Sequence, residues 1–261
     1  MIGFFIKKAL FDGWDNLLTV LALNVVFLSI VFGGFFLIDS LARVPLLAIA
    51  AAAVAVSALG VLALGVSFSF ARVSAFKAFS WKDVPRDLRA AAPHGILFAI
   101  LASVVAFVFS VALPYYRAIG GRVGFALFAL MLWLSLILLL SLQWLLPIRS
   151  QLDKRAIKCV KKCFIVFFDN PGISLFLFAY SIALGALSLV TFFMIPGVFG
   201  VVLAQNEAFR LLMHKYDWIE RHPELEYRVA RKSVPWTELL ADERETLGER
   251  SLRNFIFPWK D

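Results

Sequence analysis

The stretch GISLFLFAYSIALGALSLVTFFMIPGVFGVVLAQN (Gly172–Asn206) runs for 35 residues without a charge. As one helix it would be roughly 52 Å long at ~1.5 Å per residue, against ~30 Å of bilayer hydrocarbon. Pro196-Gly197 lies inside it, where a helix interior would lose a hydrogen bond and clash with the preceding turn. The sequence therefore predicts two membrane helices, about 172–194 and 198–214, joined by a turn at Ile195-Pro196-Gly197. The alternative is a single tilted helix kinked at the proline, giving five crossings instead of six.

Four further uncharged runs, Asn16–Ile38, Val44–Phe70, Gly95–Leu113 and Val123–Ile148, are each long enough to span a bilayer. The composition agrees: 61% hydrophobic and 17% charged residues leave too few polar groups to cover a water-soluble surface. The first run is read as a retained span and not a cleaved signal, because Lys7, Lys8, Asp12 and Asp15 mix before it and no small-x-small site follows. The fold class expected is all-α: a polytopic bundle of six transmembrane helices arranged as three hairpins, with interfacial amphipathic helices and a short helical tail. Residues 1–214 form the bundle and 215–261 the tail.

Charge sets the expected orientation. With six crossings, only Arg43, Arg117 and Arg122 fall in the loops opposite the N-terminus, and the other 23 of the 26 Lys and Arg share its side. With five, the tail changes sides and takes Arg210 and nine more basic residues with it. The positive-inside rule favours six, with both termini cytoplasmic. A faint repeat agrees: Lys7-Lys8…Asp15-Asn16 recurs as Lys161-Lys162…Asp169-Asn170, and Pro93-His94-Gly95 lies midway. Each unit reads as an interfacial segment, a helix out and a helix back.

Two segments between the spans have amphipathic character. In 151–168, Leu152, Ala156, Cys159, Val160, Cys163, Phe164 and Phe167 recur at helical spacing. Lys154, Arg155, Lys158, Lys161 and Lys162 occupy other faces and are candidate contacts for anionic lipid headgroups. Residues 71–92 are a poorer version that Pro85 is expected to break, with the next span opening at Pro93. In the tail, a helix is expected to start near Ser233-Val-Pro235, with Leu239, Leu240 and Leu247 on one stripe and Gly248 as its stop. The apolar end, Phe255, Ile256, Phe257 and Trp259, is expected to dock against the bundle or the bilayer.

Sites for chemistry are scarce. The three His lack metal-ligand spacing, and there is no phosphate-binding glycine loop or nucleophile elbow. Cys159 and Cys163, one helical turn apart, read as structural. No catalytic residue, cofactor, metal or nucleic-acid partner is expected. The one polar cluster at membrane depth is Gln205-Asn206-Glu207 with Arg210, read as a polar latch or partner site in which Glu207 and Arg210 pair at i, i+3. Ser181, Gly185 and the Ala-rich run 48–58 are expected to supply small faces for helix packing.

The order of features resembles the YesL-like family of bacterial integral membrane proteins. The points of resemblance are Phe4-Phe5-Ile-Lys7-Lys8, Asn16 and Asn24 on the first span, the aromatic-basic segment Phe76–Trp81, Asn170-Pro171, and Ile195-Pro196-Gly197. They cover about 1–214; the tail beginning Lys215-Tyr216-Asp217-Trp218 departs from the family. The resemblance implies the bacterial inner membrane and association with carbohydrate uptake systems, and transfers no catalytic residue. The function expected is a non-enzymatic accessory or assembly factor for a membrane transport system, with the lipid bilayer and transporter subunits as partners. The alternative is a small-solute transporter formed by the bundle itself. A permease subunit driven by ATP is excluded, since Asn206-Glu207-Ala208 lacks the glycine of a coupling loop.

Overall fold

Thirteen α-helices make up the computed structural model, which describes residues 1–248 and 250. They are α1 (Ile2–Asp15), α2 (Leu17–Ser40), α3 (Pro45–Ser74), α4 (Val84–Phe107), α5 (Leu113–Ile119), α6 (Gly121–Leu142), α7 (Leu145–Gln151), α8 (Ala156–Asp169), α9 (Pro171–Val190), α10 (Gly197–Arg221), α11 (Tyr227–Lys232), α12 (Trp236–Leu239) and α13 (Ala241–Leu247). A π-helical turn, Val108–Ala112, joins α4 to α5. No strand occurs among the described residues. The expected docking segment 255–259 lies outside them.

Five stretches are long and apolar enough to cross a membrane: Leu17–Ser40, Pro45–Ser74, Val84–Ile119, Gly121–Gln151 and Pro171–Val190, with mean hydropathy of 2.2 to 2.8. The chain is an all-α integral membrane protein. The break inside the deciding stretch is a true turn. The chain leaves α9 after Val190 and re-enters α10 at Gly197, and Ser188 Oγ accepts the Gly197 N–H at 2.9 Å. At the other end of the pair, the Asn170 amide donates to Tyr216 Oη at 2.6 Å. The two helices are therefore antiparallel neighbours, and the single kinked helix is ruled out. α10 continues through residue 214 to Arg221, so the boundary expected at 214/215 falls inside a helix.

α10 is the axis of the fold. Phe199, Asn206, Glu207, Phe209, Leu211 and Leu212 are all fully buried on it. One hydrophobic cluster surrounds Trp144 and Phe209 and draws on α1, α6 to α9 and the tail; another surrounds Phe70 and Phe199 and draws on α2 to α4. Both lie toward the basic end of the molecule, where α1, the loop 75–83, α8 and the tail gather.

Several local expectations are corrected. α1 is not a surface segment: Phe5 and Lys8 are buried, and the helix packs along α10. α4 opens at Val84, not at Pro93. Pro85 sits in its first turn, where a missing N–H costs nothing, and the helix runs on through Pro93. Asp87 fixes that start, accepting from Arg72 at 2.6 Å and from Ser69 at 3.1 Å, both on α3. Of the small faces expected, Ala55 in the run 48–58 does meet α2, 3.0 Å from where a Cβ on Gly34 would lie, but a tighter contact falls outside them. A Cβ on Gly60 would lie 2.4 Å from the Gly95 carbonyl, and one on Gly95 would lie 2.5 Å from Val61 Cα, so α3 and α4 touch backbone to backbone. Gly185 faces open space, and Ser181 bonds its own helix at Leu177. In the tail the expected single helix breaks at Leu240 into α12 and α13, while Leu240 and Leu247 are buried as one apolar stripe requires.

Candidate functional site

The polar cluster foreseen on α10 fans out in different directions, each residue meeting a different element. Glu207 Oε2 lies 2.8 Å from Lys8 Nζ, and Lys8 donates its aligned hydrogen bond to Asp12 Oδ2 at 2.6 Å. The Lys8 and Glu207 side chains are both fully buried. Burial pulls the Lys8 ammonium toward neutrality, but the carboxylates of Glu207 and Asp12 outweigh it and hold its pKa above the ordinary lysine value. Two carboxylates and one ammonium thus form a compact triad between α1 and α10.

The Lys8 ammonium also sits 4.0 Å from the centroid of the Phe76 ring. Phe76 has φ of 58°, a left-handed conformation at the end of α3 that usually falls to glycine. The ring's place over the ammonium gives a reason for an aromatic residue at that strained position.

Asn206, one residue earlier, joins α3 and α7. Its Nδ2 donates to Ser67 Oγ at 3.0 Å and to Val202 O at 2.8 Å; its Oδ1 accepts from Ser150 Oγ and Gln151 Nε2, each at 3.0 Å. Every polar atom of this buried amide is satisfied. Gln205 instead turns toward a cavity of ≈ 330 Å³ between α3, α4, α6, α9 and α10. Its other polar side chains are Gln143 and Ser181, and the rest of the wall is apolar. Oε1 of both glutamines is buried without a hydrogen-bond partner, so the cavity presents two acceptors and no charge.

Arg210 does not pair with Glu207. Its Nε donates to Glu243 Oε1 on α13 at 2.7 Å, and His214 Nε2 lies 2.8 Å from the same oxygen. The i, i+3 spacing permits the expected pair, but Lys8 and Glu243, remote in sequence, stand closer. Burial would raise the Glu243 carboxyl, yet His214 and Arg210 outweigh that and hold it below the usual range.

A further hub was not anticipated. Asp169, at the end of α8, accepts from Tyr216 at 2.9 Å and Tyr227 at 2.7 Å, and pairs with Lys215 at 3.3 Å and Arg231 at 3.0 Å. It ties the α8–α9 corner to α10 and α11. Lys7 donates to Gly248 O at 3.2 Å, and Arg250 pairs with Asp15 at 2.6 Å, so the tail folds back on α1.

Of the candidate headgroup residues, Lys154, Arg155, Lys158 and Lys161 are exposed, while Lys162 pairs with Asp153 at 3.0 Å. Exposed Ile157, Ile165 and Phe168 stand among these lysines on α8. Cys159 and Cys163 face inward, and burial pushes both thiols above their ordinary pKa. That suits packing and not nucleophilic chemistry. No cluster of His, Cys, Asp and Glu suited to a metal occurs among the described residues. No family model, curated protein or solved structure matches this chain.

Proposed function

We propose that the protein is a non-enzymatic accessory or assembly factor for a membrane transport system, held in a bacterial inner membrane with both termini in the cytoplasm. The observation that carries this reading is where polarity stops. The ion pairs and the Asn206 network collect at the basic end, whereas Ser29, Ser40, Ser103 and Ser110 donate back to carbonyls of their own helices. Such a bundle offers a partner its apolar flanks and a basic rim on α8, and offers a solute no continuous polar path. The resemblance to the YesL-like family favours carbohydrate uptake systems as the setting. Exposed Lys154, Arg155, Lys158 and Lys161 beside Ile157 and Phe168 suit anionic headgroups on the cytoplasmic leaflet.

Purification in mild detergent, with the co-purifying proteins identified, tests the role; transporter subunits in near-equal amount are expected. The cavity bearing Gln143 and Gln205 favours one competing reading, a bundle that itself carries a small neutral solute. Isolation without a partner, together with solute uptake by proteoliposomes of the pure protein, would establish that reading in its place.

A further inference from the structure

We infer that the α9–α10 hairpin enters the bilayer and turns back within it, so that its tip, Thr191–Pro196, is a wedge facing lipid acyl chains and not a loop in water. The inference rests on the membrane reading above, but not on the accessory role.

The first observation is depth. Asn24 holds the tip: its Nδ2 donates to Met194 O at 2.9 Å and to Pro196 O at 2.8 Å, and its Oδ1 accepts the Phe199 N–H at 3.1 Å. Asn24 is only the eighth residue of the 24 in α2, and sixteen more helical residues follow it to Ser40. At ~1.5 Å each they carry α2 about 24 Å further. A tip pinned at Asn24 therefore stops far short of the end that α2 reaches. Gly197 permits the close approach: it has φ of +61°, and a Cβ there would lie 2.3 Å from Asn24 Nδ2.

The second is chemistry. The turn between α2 and α3 carries Arg43, and that between α5 and α6 is flanked by Arg117 and Arg122, as turns in water or headgroups do. The hairpin tip reads Thr-Phe-Phe-Met-Ile-Pro, with Phe192 80% exposed and Phe193 and Met194 also exposed. Phe192 and Phe193 have φ of 52° and 61°, positions where a turn in water would favour glycine or asparagine. Bulky apolar rings there are costly to the backbone and suit a hydrocarbon surrounding.

The third is polar satisfaction. Hydrocarbon supplies no hydrogen-bond partners, so a turn inside it must satisfy its own backbone. Each N–H from Thr191 to Gly197 finds a protein acceptor. Thr191, Phe192, Phe193 and Met194 bond carbonyls of Ser188, Leu189 and Thr191; Ile195 bonds Thr191 Oγ1; Gly197 bonds Ser188 Oγ. Pro196 has none to place. With the tip at this depth, α10 need not be apolar enough to cross, and its charges remain on the side from which the hairpin entered.

Nitroxide labels on single cysteines, in a background with Cys159 and Cys163 changed to Ala, test this in phosphatidylcholine vesicles. Collision with oxygen, which concentrates in acyl chains, is compared with collision with a water-soluble nickel chelate. The sites are Phe192→Cys in the tip and Val190→Cys at the end of α9 beside it, Arg43→Cys at the α2–α3 turn, and Phe32→Cys on the flank of α2. The two tip sites guard against one variant failing to fold. Expected are tip labels open to oxygen and shielded from nickel, as at Phe32→Cys, with Arg43→Cys showing the reverse. Tip labels as open to nickel as Arg43→Cys, with Phe32→Cys still shielded, would overturn the inference and give a full crossing. Nickel access at Phe32→Cys as well would overturn the membrane reading itself.

Discussion

The two ends of this bundle are stabilised by different means. At the basic end, buried and half-buried charges meet each other: fully buried Lys8 meets Asp12 and Glu207, and half-buried Arg72 and Arg210 meet Asp87 and Glu243. Toward the far end, Phe32, Phe35 and Phe36 of α2, Leu46 and Ile49 of α3, and Val123 and Phe125 of α6 are exposed, with few buried side chains between these helices. The helices there look to acyl chains for their surroundings, and lipid tails are as apolar as leucine, so no hydrophobic force closes the gap. Specific pairing fixes the fold where helices must not slide, and lipid serves where they need only remain in the bilayer.

Substitutions sharpen or break that contrast. The largest loss is expected at Lys8→Met, which leaves the Asp12 and Glu207 carboxylates buried together without a counter-charge. It should cost ~3–5 kcal/mol in thermal unfolding in detergent. Next is Gly60→Ala, where the new Cβ would press on the Gly95 carbonyl and force α3 from α4; about 1–3 kcal/mol is expected in the same assay. Gly185→Ala, in open space on a helix, should be neutral or stabilising, by up to ~1 kcal/mol.

Acid should act on the tail. The Glu243 carboxyl lies below its ordinary value of 4.5 because of His214 and Arg210. Its contribution is fully present above about pH 4.5, the unfolded value, and is lost as pH falls through the lower folded value. Protection of the amides in residues 227–247, measured against their intrinsic exchange rate at each pH, should therefore fall on acidification, and Glu243→Gln should lower it at neutral pH. Protection unchanged in both would place the docking energy in Leu240 and Leu247 alone. The smallest effect is expected at the far end, where Phe36→Ala should shift stability by under ~0.5 kcal/mol.

How much of this could be read from the chain follows from what each signal depends on. The class and the α9–α10 turn were legible because a 35-residue apolar run cannot be one ~30 Å span. The polar segment from Gln205 to Arg210 was legible because such residues stand out against apolar sequence. Their partners were not, since Lys8 and Glu243 come from opposite ends of the chain and only the fold brings them to α10. A signal did exist at Lys8, which shares one helical face with Phe4, Phe5, Phe11 and Asp12 and so was set to be buried with them. The start of α4 is hard to read from the chain because Pro85 can either break a helix or open one, and here it occupies the first turn, where it breaks nothing. The hairpin's depth was hidden for another reason: hydropathy gives the length of a helix, whereas Asn24 gives its level.

Whether Lys8 compensates the carboxylates buried between α1 and α10 is decided by a cycle of Lys8→Met, Glu207→Gln and the double variant, compared by thermal unfolding in detergent. The triad predicts asymmetry. Glu207→Gln alone should cost little, because Lys8 keeps Asp12. Adding it to Lys8→Met should recover part of the stability that Lys8→Met loses, by removing one stranded carboxylate. Losses of similar size from both single changes that simply add in the double variant would show that Lys8 does not compensate Glu207.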